Sequence, residues 1–154
     1  MTPSSEVAEI RRRLSASPEK VFSAFAEAKL VGRWLSPAPE IVMTPLEYDF
    51  RVGGAYRLAY HVPGAPTMVV GGTYLAIERP EKIVFSWIIE PPDEHAGIES
   101  EVSVSILPDE GGSFLHIRHA RFGRADAIER HRGGWHGALD QLAALLAAFP
   151  ENQS

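Results

Sequence analysis

Apolar residues recur at two different spacings along the chain, and the two spacings predict different elements. Near the start, the segment VAEIRRRL over residues 7–14 has mixed polarity and is predicted to be a first strand. The next segment repeats apolar residues at three- and four-residue steps, and Ser17 before Pro18 is a favourable helix start. This spacing predicts a helix over about residues 18–28. A second short helix is predicted over 29–34, where the prolines of SPAPE end it.

From about Val42 the chain changes to short apolar runs that glycine- and proline-containing turns separate, which is typical of antiparallel strands. Six further strands are predicted, with the sequences LEYDFRV, AYRLAYHV, TMVVGGTYLAIE, KIVFSWIIE, IESEVSVSIL and SFLHIRHARF. The alternation is strictest in IESEVSVSIL, which places Val102, Val104 and Ile106 on one face. A long helix from roughly Ala125 to Phe149 then closes the chain.

The closing helix has one apolar face that is suited to cover the sheet. This face comprises Ile128, Trp135, Leu139, Leu142, Leu146 and Phe149. Because an antiparallel sheet must bury its apolar face, the pattern predicts a sheet that curls around this helix.

Three glycines, Gly133, Gly134 and Gly137, surround Trp135 in the same helix. Each glycine inside a helix costs about 0.5–1 kcal/mol relative to alanine, so a compensating role is expected. We expect these small residues to let the helix backbone approach the sheet rim or a ligand, while Trp135 points into a cavity. The alternative is that they mark a kink or a helix boundary, with Trp135 as ordinary core.

Composition narrows the class of protein. With 154 residues, of which 45% are hydrophobic, the chain suits one domain over residues 1–154 with a core over about 7–149. The formal net charge of −5 argues against a nucleic-acid partner. The chain has no cysteine, no signal-peptide core and no apolar run of about 18 residues. We therefore expect a cytoplasmic protein that does not enter a membrane.

Several motifs occur in an order that resembles a known family. These motifs are SPEKVFSAF, GRWLSP, DFRVGG, ERPEKIVFSW, LHIRHARF and GWHGALDQL. Together they are similar to the family of homologues of the activator of heat-shock-protein ATPase, a branch of the START-like or SRPBCC superfamily. The resemblance implies an α+β helix-grip fold like that of the birch pollen allergen. In this fold, a curved antiparallel sheet of about seven strands wraps around a long C-terminal helix, and two short helices follow the first strand.

The resemblance also implies a cavity between the sheet and the long helix, without implying one activity. Relatives include co-chaperone domains, lipid and hormone carriers, aromatic cyclases and many uncharacterised bacterial proteins. Strand parity and the helix face nominate the residues that line such a cavity. The predicted ligand-binding residues are Tyr56, Tyr60, Trp87, His119, Trp135 and Leu139.

The six histidines give little support for a metal site. His116 and His119 are three apart in a strand, which places them on opposite faces, and His131 and His136 are five apart in a helix. We expect no bound metal and no cofactor, because the paired glycines also lack a nucleotide-binding motif. His119 is the best candidate for a general acid or base, but no nucleophile is paired with it in the sequence.

Charged residues are expected mainly at the surface. Arginines cluster around the entry to the last helix at positions Arg118, Arg121, Arg124, Arg130 and Arg132. They form either a rim that attracts an anionic ligand or, as we favour, a solvated face. Asp49 and Arg51 are expected to pair for structural reasons.

Three functions remain open from the sequence. The favoured one is a binding protein for a small hydrophobic or aromatic ligand. The alternatives are an interaction module that contacts a chaperone, and a cyclase- or hydrolase-type enzyme that uses His119. Homodimerisation through an exposed strand edge is also compatible with the pattern.

Overall fold

Seven strands and three helices follow one another in the order that the hydrophobic pattern predicts. A computed structural model describes residues 7–90, 96–121 and 125–148. The elements are β1 (Val7–Leu14), α1 (Pro18–Ala26), α2 (Ala28–Trp34), β2 (Val42–Tyr48), β3 (Ala55–His61), β4 (Met68–Glu78), β5 (Lys82–Ile89), β6 (Glu99–Asp109), β7 (Gly112–Ala120) and α3 (Ala125–Ala147).

The strands form one antiparallel sheet in the order β1-β7-β6-β5-β4-β3-β2. Consecutive strands from β2 to β7 are neighbours, and β1 is added beside β7, so β1 and β2 are the two edges. The register shifts between Pro45 and Glu47 and between Tyr74 and Ala76. Such irregularities increase the local twist of a strand, as a sheet that wraps around a helix requires.

The segment between β2 and β3 is a turn, although the sequence predicts that the strand continues to residue 52. The backbone N–H of Gly54 donates to Arg51 O at 2.8 Å, and Arg51 Nε lies 2.8 Å from Asp49 Oδ2. A Cβ at Gly54 would lie only 2.0 Å from Asp49 O. A side chain has no room there, so this glycine permits the tight turn that ends the strand.

The first two helices begin and end on local signals. The Ser17 side chain accepts a hydrogen bond from the backbone N–H of Lys20 at 3.2 Å, and Pro18 is the first helical residue of α1. The helix ends at Ala26, two residues before the predicted end, and Ala28 begins α2. Both helices bury aromatic side chains, among them Phe22, Phe25 and Trp34.

Helix α3 runs without interruption through the three glycines and packs on the inner face of the sheet. Its buried residues include the predicted set Ile128, Trp135, Leu139, Leu142 and Leu146. The sixth predicted member, Phe149, lies outside the described residues. The inward rows of β5, β6 and β7 are buried against it. Across the described ranges, no helix is long and apolar enough to cross a membrane.

Candidate functional site

A pocket of about 360 Å³ opens between the inner face of the sheet and the first half of α3. Strands β3, β4 and β5 form one wall, α3 forms the other, and the loop between α2 and β2 closes one side. The lining residues are Leu35, Ser36, Pro37, Ile41, Tyr60, Val62, Met68, Val70, Trp87, Ile89, Arg130, His131, Gly133, Gly134, Trp135 and Ala138. The lining is thus mostly apolar and has a few polar groups, as is typical of small-molecule sites.

The glycines of α3 have separate structural roles. A Cβ at Gly137 would lie 1.9 Å from Pro37 O, so this glycine lets α3 pack directly against the loop after α2. Gln141 fixes the same contact, since its Nε2 donates to Ser36 O at 2.7 Å. A Cβ at Gly133 would have no neighbour within 4 Å. The close approach that the sequence predicts therefore occurs at Gly137, and its partner is the loop rather than the sheet rim.

Two tryptophans and two histidines pack together beside the pocket, and three of the four line it. We call Trp87, His119, His131 and Trp135 the Trp–His cluster. Ring centroids lie 4.9 Å apart for the two histidines and 6.0 Å apart for the two tryptophans. The indole N–H of Trp87 donates to His131 Nε2, and that of Trp135 donates to His119 Nδ1, each at 3.1 Å. Both indoles therefore use their polar atom within the protein, and Trp87 and Trp135 both line the pocket.

The hydrogen bonds of His119 fix its tautomer. Because Nδ1 accepts from the Trp135 indole, the neutral ring carries its proton on Nε2 and donates to Ser100 Oγ at 2.7 Å. The Ser100 hydroxyl in turn donates to Trp87 O at 3.0 Å. Burial, with a smaller contribution from His131, lowers the pKa of His119 well below its usual value. This arrangement leaves His119 with no lone pair to activate Ser100, so the pair is not a nucleophile–base dyad.

His131 is a site residue that the sequence did not indicate. Its Nδ1–H donates to Ala127 O at 2.8 Å, while Nε2 accepts from Trp87. Along α3 the sequence offers only His136 as a neighbouring histidine, and a separation of five residues is a poor match to one helix face. The packing of α3 on the sheet pairs it with His119 instead. In the described part of the chain, no group of three or more His, Asp or Glu side chains is placed to hold a metal ion.

Two tyrosines of β3 differ although they share one strand face. The Tyr56 hydroxyl donates to Ser86 O at 2.6 Å and lies away from the pocket. Tyr60 lines the pocket, and no residue of the described part of the chain is hydrogen-bonded to its hydroxyl. Burial, followed by the effect of nearby Tyr48, raises the pKa of Tyr60 above its usual value. The Tyr60 hydroxyl is therefore neutral at physiological pH and can donate a hydrogen bond.

The structure brings together three of the six predicted ligand-binding residues. Tyr60, Trp87 and Trp135 line the pocket. Tyr56 packs among other aromatic rings, and Leu139 is fully buried core. His119 is also fully buried and lies behind the two tryptophans rather than at the pocket surface.

The predicted arginine cluster separates into individual contacts. Arg121 NH1 lies 3.3 Å from Glu101 Oε1, and Arg132 pairs with Glu129. Arg118 is exposed on β7, and Arg124 lies outside the described residues. Only Arg130 of the described arginines lines the pocket, where its NH2 lies 3.1 Å from Met68 Sδ. The sequence analysis names Arg130 only within the arginine cluster, for which a solvated face is the favoured interpretation, and it does not name Met68 as a ligand contact.

Comparison with known proteins places the chain among similar folds. A family model described as "Activator of Hsp90 ATPase homolog 1-like protein" matches residues 15–147. A crystal structure of a protein from Chromobacterium violaceum is 30% identical, with a TM-score of 0.82 over 91% of this chain and 96% of that one. The AHSA1 protein from Silicibacter pomeroyi is 23% identical, with a TM-score of 0.81 over 92% of this chain and 98% of that one.

A more distant similarity is to CalU16 from Micromonospora echinospora, at 25% identity and a TM-score of 0.65. It covers 90% of this chain and 74% of that one. A comparison with curated proteins finds no match. These structures share the overall fold of this chain.

Proposed function

The chain belongs to the family of Activator of Hsp90 ATPase homolog 1-like proteins, of START-like type, and from this membership we propose that it binds a small apolar or aromatic molecule. The proposed site is the pocket between the sheet and α3. One observation carries the proposal: a largely apolar pocket of about 360 Å³ remains beside an otherwise well-filled interior. Such a volume is at the lower end of the range that is common for small-molecule sites.

The chemistry of the pocket walls supports an aromatic or aliphatic ligand body. Trp87 and Trp135 can present their rings for contact without an unsatisfied N–H, because both indole donors are already bonded to histidines. The neighbouring lining residues Ile89, Val70 and Ala138 add aliphatic surface. Burial of a ligand's apolar surface there would contribute about 25 cal/mol for each Å² removed from water.

A thermal-shift screen against aromatic acids, fatty acids, isoprenoids and acyl thioesters tests the proposal. A ligand at about 100 times its dissociation constant adds about 2.7 kcal/mol, which corresponds to roughly 5–10 °C for a chain of this size. A shift of this size is the expected result for at least one compound class. A panel that gives no shift at saturating concentration would contradict the proposal.

A matched pair of variants shows whether the pocket is the site of binding. Gly133→Leu places a side chain into open pocket space, so it should abolish the thermal shift of any compound that binds there. Ala144→Leu adds the same kind of apolar surface to an exposed position of α3 and should leave the shift unchanged. Equal loss in both variants, or in neither, would place the binding elsewhere.

The second candidate is a protein-interaction module, which the family's description favours because it refers to the Hsp90 ATPase. The edge strand β2 also exposes Val42 and Leu46. The ATPase rate of an Hsp90-type chaperone, measured with and without the protein, tests this candidate. Stimulation that Leu46→Ser removes would favour it, and an unchanged rate would remove it. Size-exclusion chromatography would show in the same samples whether a homodimer forms instead.

For either candidate we propose the cytoplasm as the place of action and one domain as the functional unit. These two points rest on the sequence. Targeting of a fluorescent fusion and limited proteolysis would test them separately.

A further inference from the structure

The two pocket tryptophans place their indole N–H groups in the same kind of contact. Trp87 of β5 donates across the sheet–helix interface to His131 of α3, and Trp135 of α3 donates back across it to His119 of β7. An indole nitrogen is a donor only, so each histidine accepts with the ring nitrogen that faces the indole. Both indoles are therefore bonded to an acceptor that the protein itself supplies.

Each histidine also uses its second ring nitrogen within the protein. His119 donates to the Ser100 hydroxyl, and His131 donates to the carbonyl oxygen of Ala127. A neutral imidazole has one donor and one acceptor, and both are engaged here. Among the described residues, no buried side-chain nitrogen or oxygen atom lacks a hydrogen-bond partner. The rings of the Trp–His cluster thus present carbon surface to the pocket.

The engaged indoles decide which ligand atoms this wall of the pocket favours. A free indole N–H at the wall would favour a ligand atom that accepts a hydrogen bond, because a buried donor without a partner costs free energy. With Trp87 and Trp135 already bonded, a ligand acceptor at the wall loses its hydrogen bond to water and gains none in return. The wall therefore disfavours an acceptor and favours hydrocarbon.

From these paired bonds we propose that His119 and His131 are positioning residues that set the ligand specificity. They hold the two indole N–H groups away from the ligand, so the part of the ligand that lies against Trp87 and Trp135 is a hydrocarbon without hydrogen-bonding atoms. The inference rests on the proposed function and assigns the chemical class of the ligand's buried part. Polar atoms of the ligand are expected to lie away from this wall.

Calorimetric titration with three bicyclic probes tests this assignment, with protein titrated into the dissolved probe because naphthalene is sparingly soluble. Naphthalene, quinoline and 1,5-naphthyridine share one ring outline, are uncharged in neutral buffer and differ in their number of ring nitrogens. The last has a nitrogen in each ring, so it presents an acceptor to the wall in either orientation. Naphthalene should bind about tenfold or more tightly than 1,5-naphthyridine, since an acceptor that loses water without a new partner is costly. Quinoline can turn its nitrogen away from the wall and should lie between them.

Variants of His131 show whether this preference depends on the engaged indole. His131→Leu removes the acceptor for the Trp87 N–H, so the affinity ratio of naphthalene to 1,5-naphthyridine should fall about threefold to tenfold. His131→Gln supplies a carbonyl-type oxygen as an alternative acceptor and should keep the ratio within about twofold of the wild type. His136→Leu makes the same substitution at an exposed position of α3 and should leave the ratio unchanged.

Trp87→Phe tests the same donor without changing either histidine. It should weaken the binding of naphthalene and 1,5-naphthyridine by similar factors, because the N–H that it removes is not available to either probe. A loss of affinity for 1,5-naphthyridine alone would show that the ligand uses this N–H and would overturn the inference. Thermal melting verifies that each variant is folded, and Trp87→Phe decides the question if His131→Leu does not fold.

The outcomes distinguish this inference from the proposed function. Equal affinities of the wild type for naphthalene and 1,5-naphthyridine overturn the specificity while an apolar binding site remains. The same holds if the ratio is unchanged in folded His131→Leu, or if it falls as far in His136→Leu. Binding of none of the three probes also contradicts the inference, and the proposed function is then judged on the thermal-shift panel alone.

Discussion

The two ends of the space beneath the sheet are built from similar residues but packed differently. At one end the rings of Tyr48, Phe50, Tyr56, Tyr74 and Phe85 contact one another with centroids 4.8–6.4 Å apart. The space that remains there is about 10 Å³, whereas the pocket at the other end is about 360 Å³. We call the first region the filled end and the second the open end.

Hydroxyl groups show why the two ends have different roles. At the filled end Tyr74 donates to Tyr48 at 2.6 Å, Tyr48 donates to Phe25 O at 2.5 Å, and Tyr56 donates to Ser86 O. Every tyrosine hydroxyl of this end is therefore satisfied by the protein. At the open end the Tyr60 hydroxyl has no such partner in the described part of the chain. The filled end is complete as a core, while the open end has a polar group that a ligand can satisfy.

The largest expected difference in stability is between the alanine variants of two isoleucines of β5. Ile83 is fully buried at the filled end, and Ile89 lies on the same strand face at the open end. Ile83→Ala should lower the free energy of unfolding by about 4 kcal/mol, because it creates a cavity in a close-packed region. Ile89→Ala should cost about 2 kcal/mol, since part of that side chain already faces the pocket. Urea denaturation measures both, and equal losses would remove the distinction between the ends.

Substitutions of the glycines of α3 test the loop contact that borders the open end. Gly137→Ala should lower the free energy of unfolding by about 2–3 kcal/mol, because its Cβ would overlap the Pro37 carbonyl oxygen. Gly133→Ala meets open space and should raise it by about 0.5–1 kcal/mol through helix propensity. Thermal and urea denaturation compare the pair. A stabilising effect of both substitutions would contradict the close approach of α3 to the loop.

The Trp–His cluster predicts that stability depends on pH. The pKa of His119 is lowered in the folded protein by burial and by His131, whereas an unfolded histidine titrates near 6.5. Between these two values the unfolded chain binds more protons, so stability is complete above about pH 6.5 and is lost as the pH falls below it. The loss from pH 7.5 to 5.5 should be about 1.4 kcal/mol from this residue.

Urea denaturation at the two pH values measures this loss. His119→Gln should remove most of the difference, even though it also lowers stability at both pH values. His116→Gln is the control, because that ring is partly exposed beside Glu9 and should keep the difference. A wild-type protein with no change between the two pH values would contradict a buried, neutral His119.

The smallest expected difference in stability is between the variants that remove one of two tyrosine hydroxyls of β3. Tyr56→Phe should lower the free energy of unfolding by about 1 kcal/mol, because it removes a hydrogen bond to Ser86 O. Tyr60→Phe should change it by less than about 0.5 kcal/mol in the absence of ligand, since no such bond is lost. Urea denaturation of both variants measures the difference. A larger cost for Tyr60→Phe would mean that this hydroxyl has a structural role.

Much of the fold was predictable because it depends on local spacing. The Ser17 cap, the alternation of Val102, Val104 and Ile106, and the apolar face of α3 each reflect one element at a time. The strand end near residue 50 was not predictable from polarity, because the turn depends on the backbone contact between Gly54 and Asp49. Positions of strand ends are set by such contacts rather than by hydrophobic spacing.

The lining residues of the site were predictable only where strand parity alone decides whether a side chain faces the pocket. Parity places Tyr60 and Trp87 on the inner face, as found, but it also places Tyr56 there. The difference between Tyr56 and Tyr60 arises because Tyr74 and Phe85 pack around the former, and this is a property of the assembled sheet. The roles of Arg130 and His131 depend in the same way on how α3 lies against β4, β5 and β7.

The most direct test of the account is the effect of a ligand on the three tryptophan indole N–H signals in a ¹H–¹⁵N NMR spectrum. Trp87 and Trp135 line the pocket, whereas Trp34 is fully buried elsewhere and donates to Ala24 O at 2.9 Å. Titration with the tightest binder of the thermal-shift panel should move the signals of Trp87 and Trp135 and leave that of Trp34 in place. Movement of none of the three signals at saturation, or of Trp34 as much as the others, would contradict a ligand site at the open end.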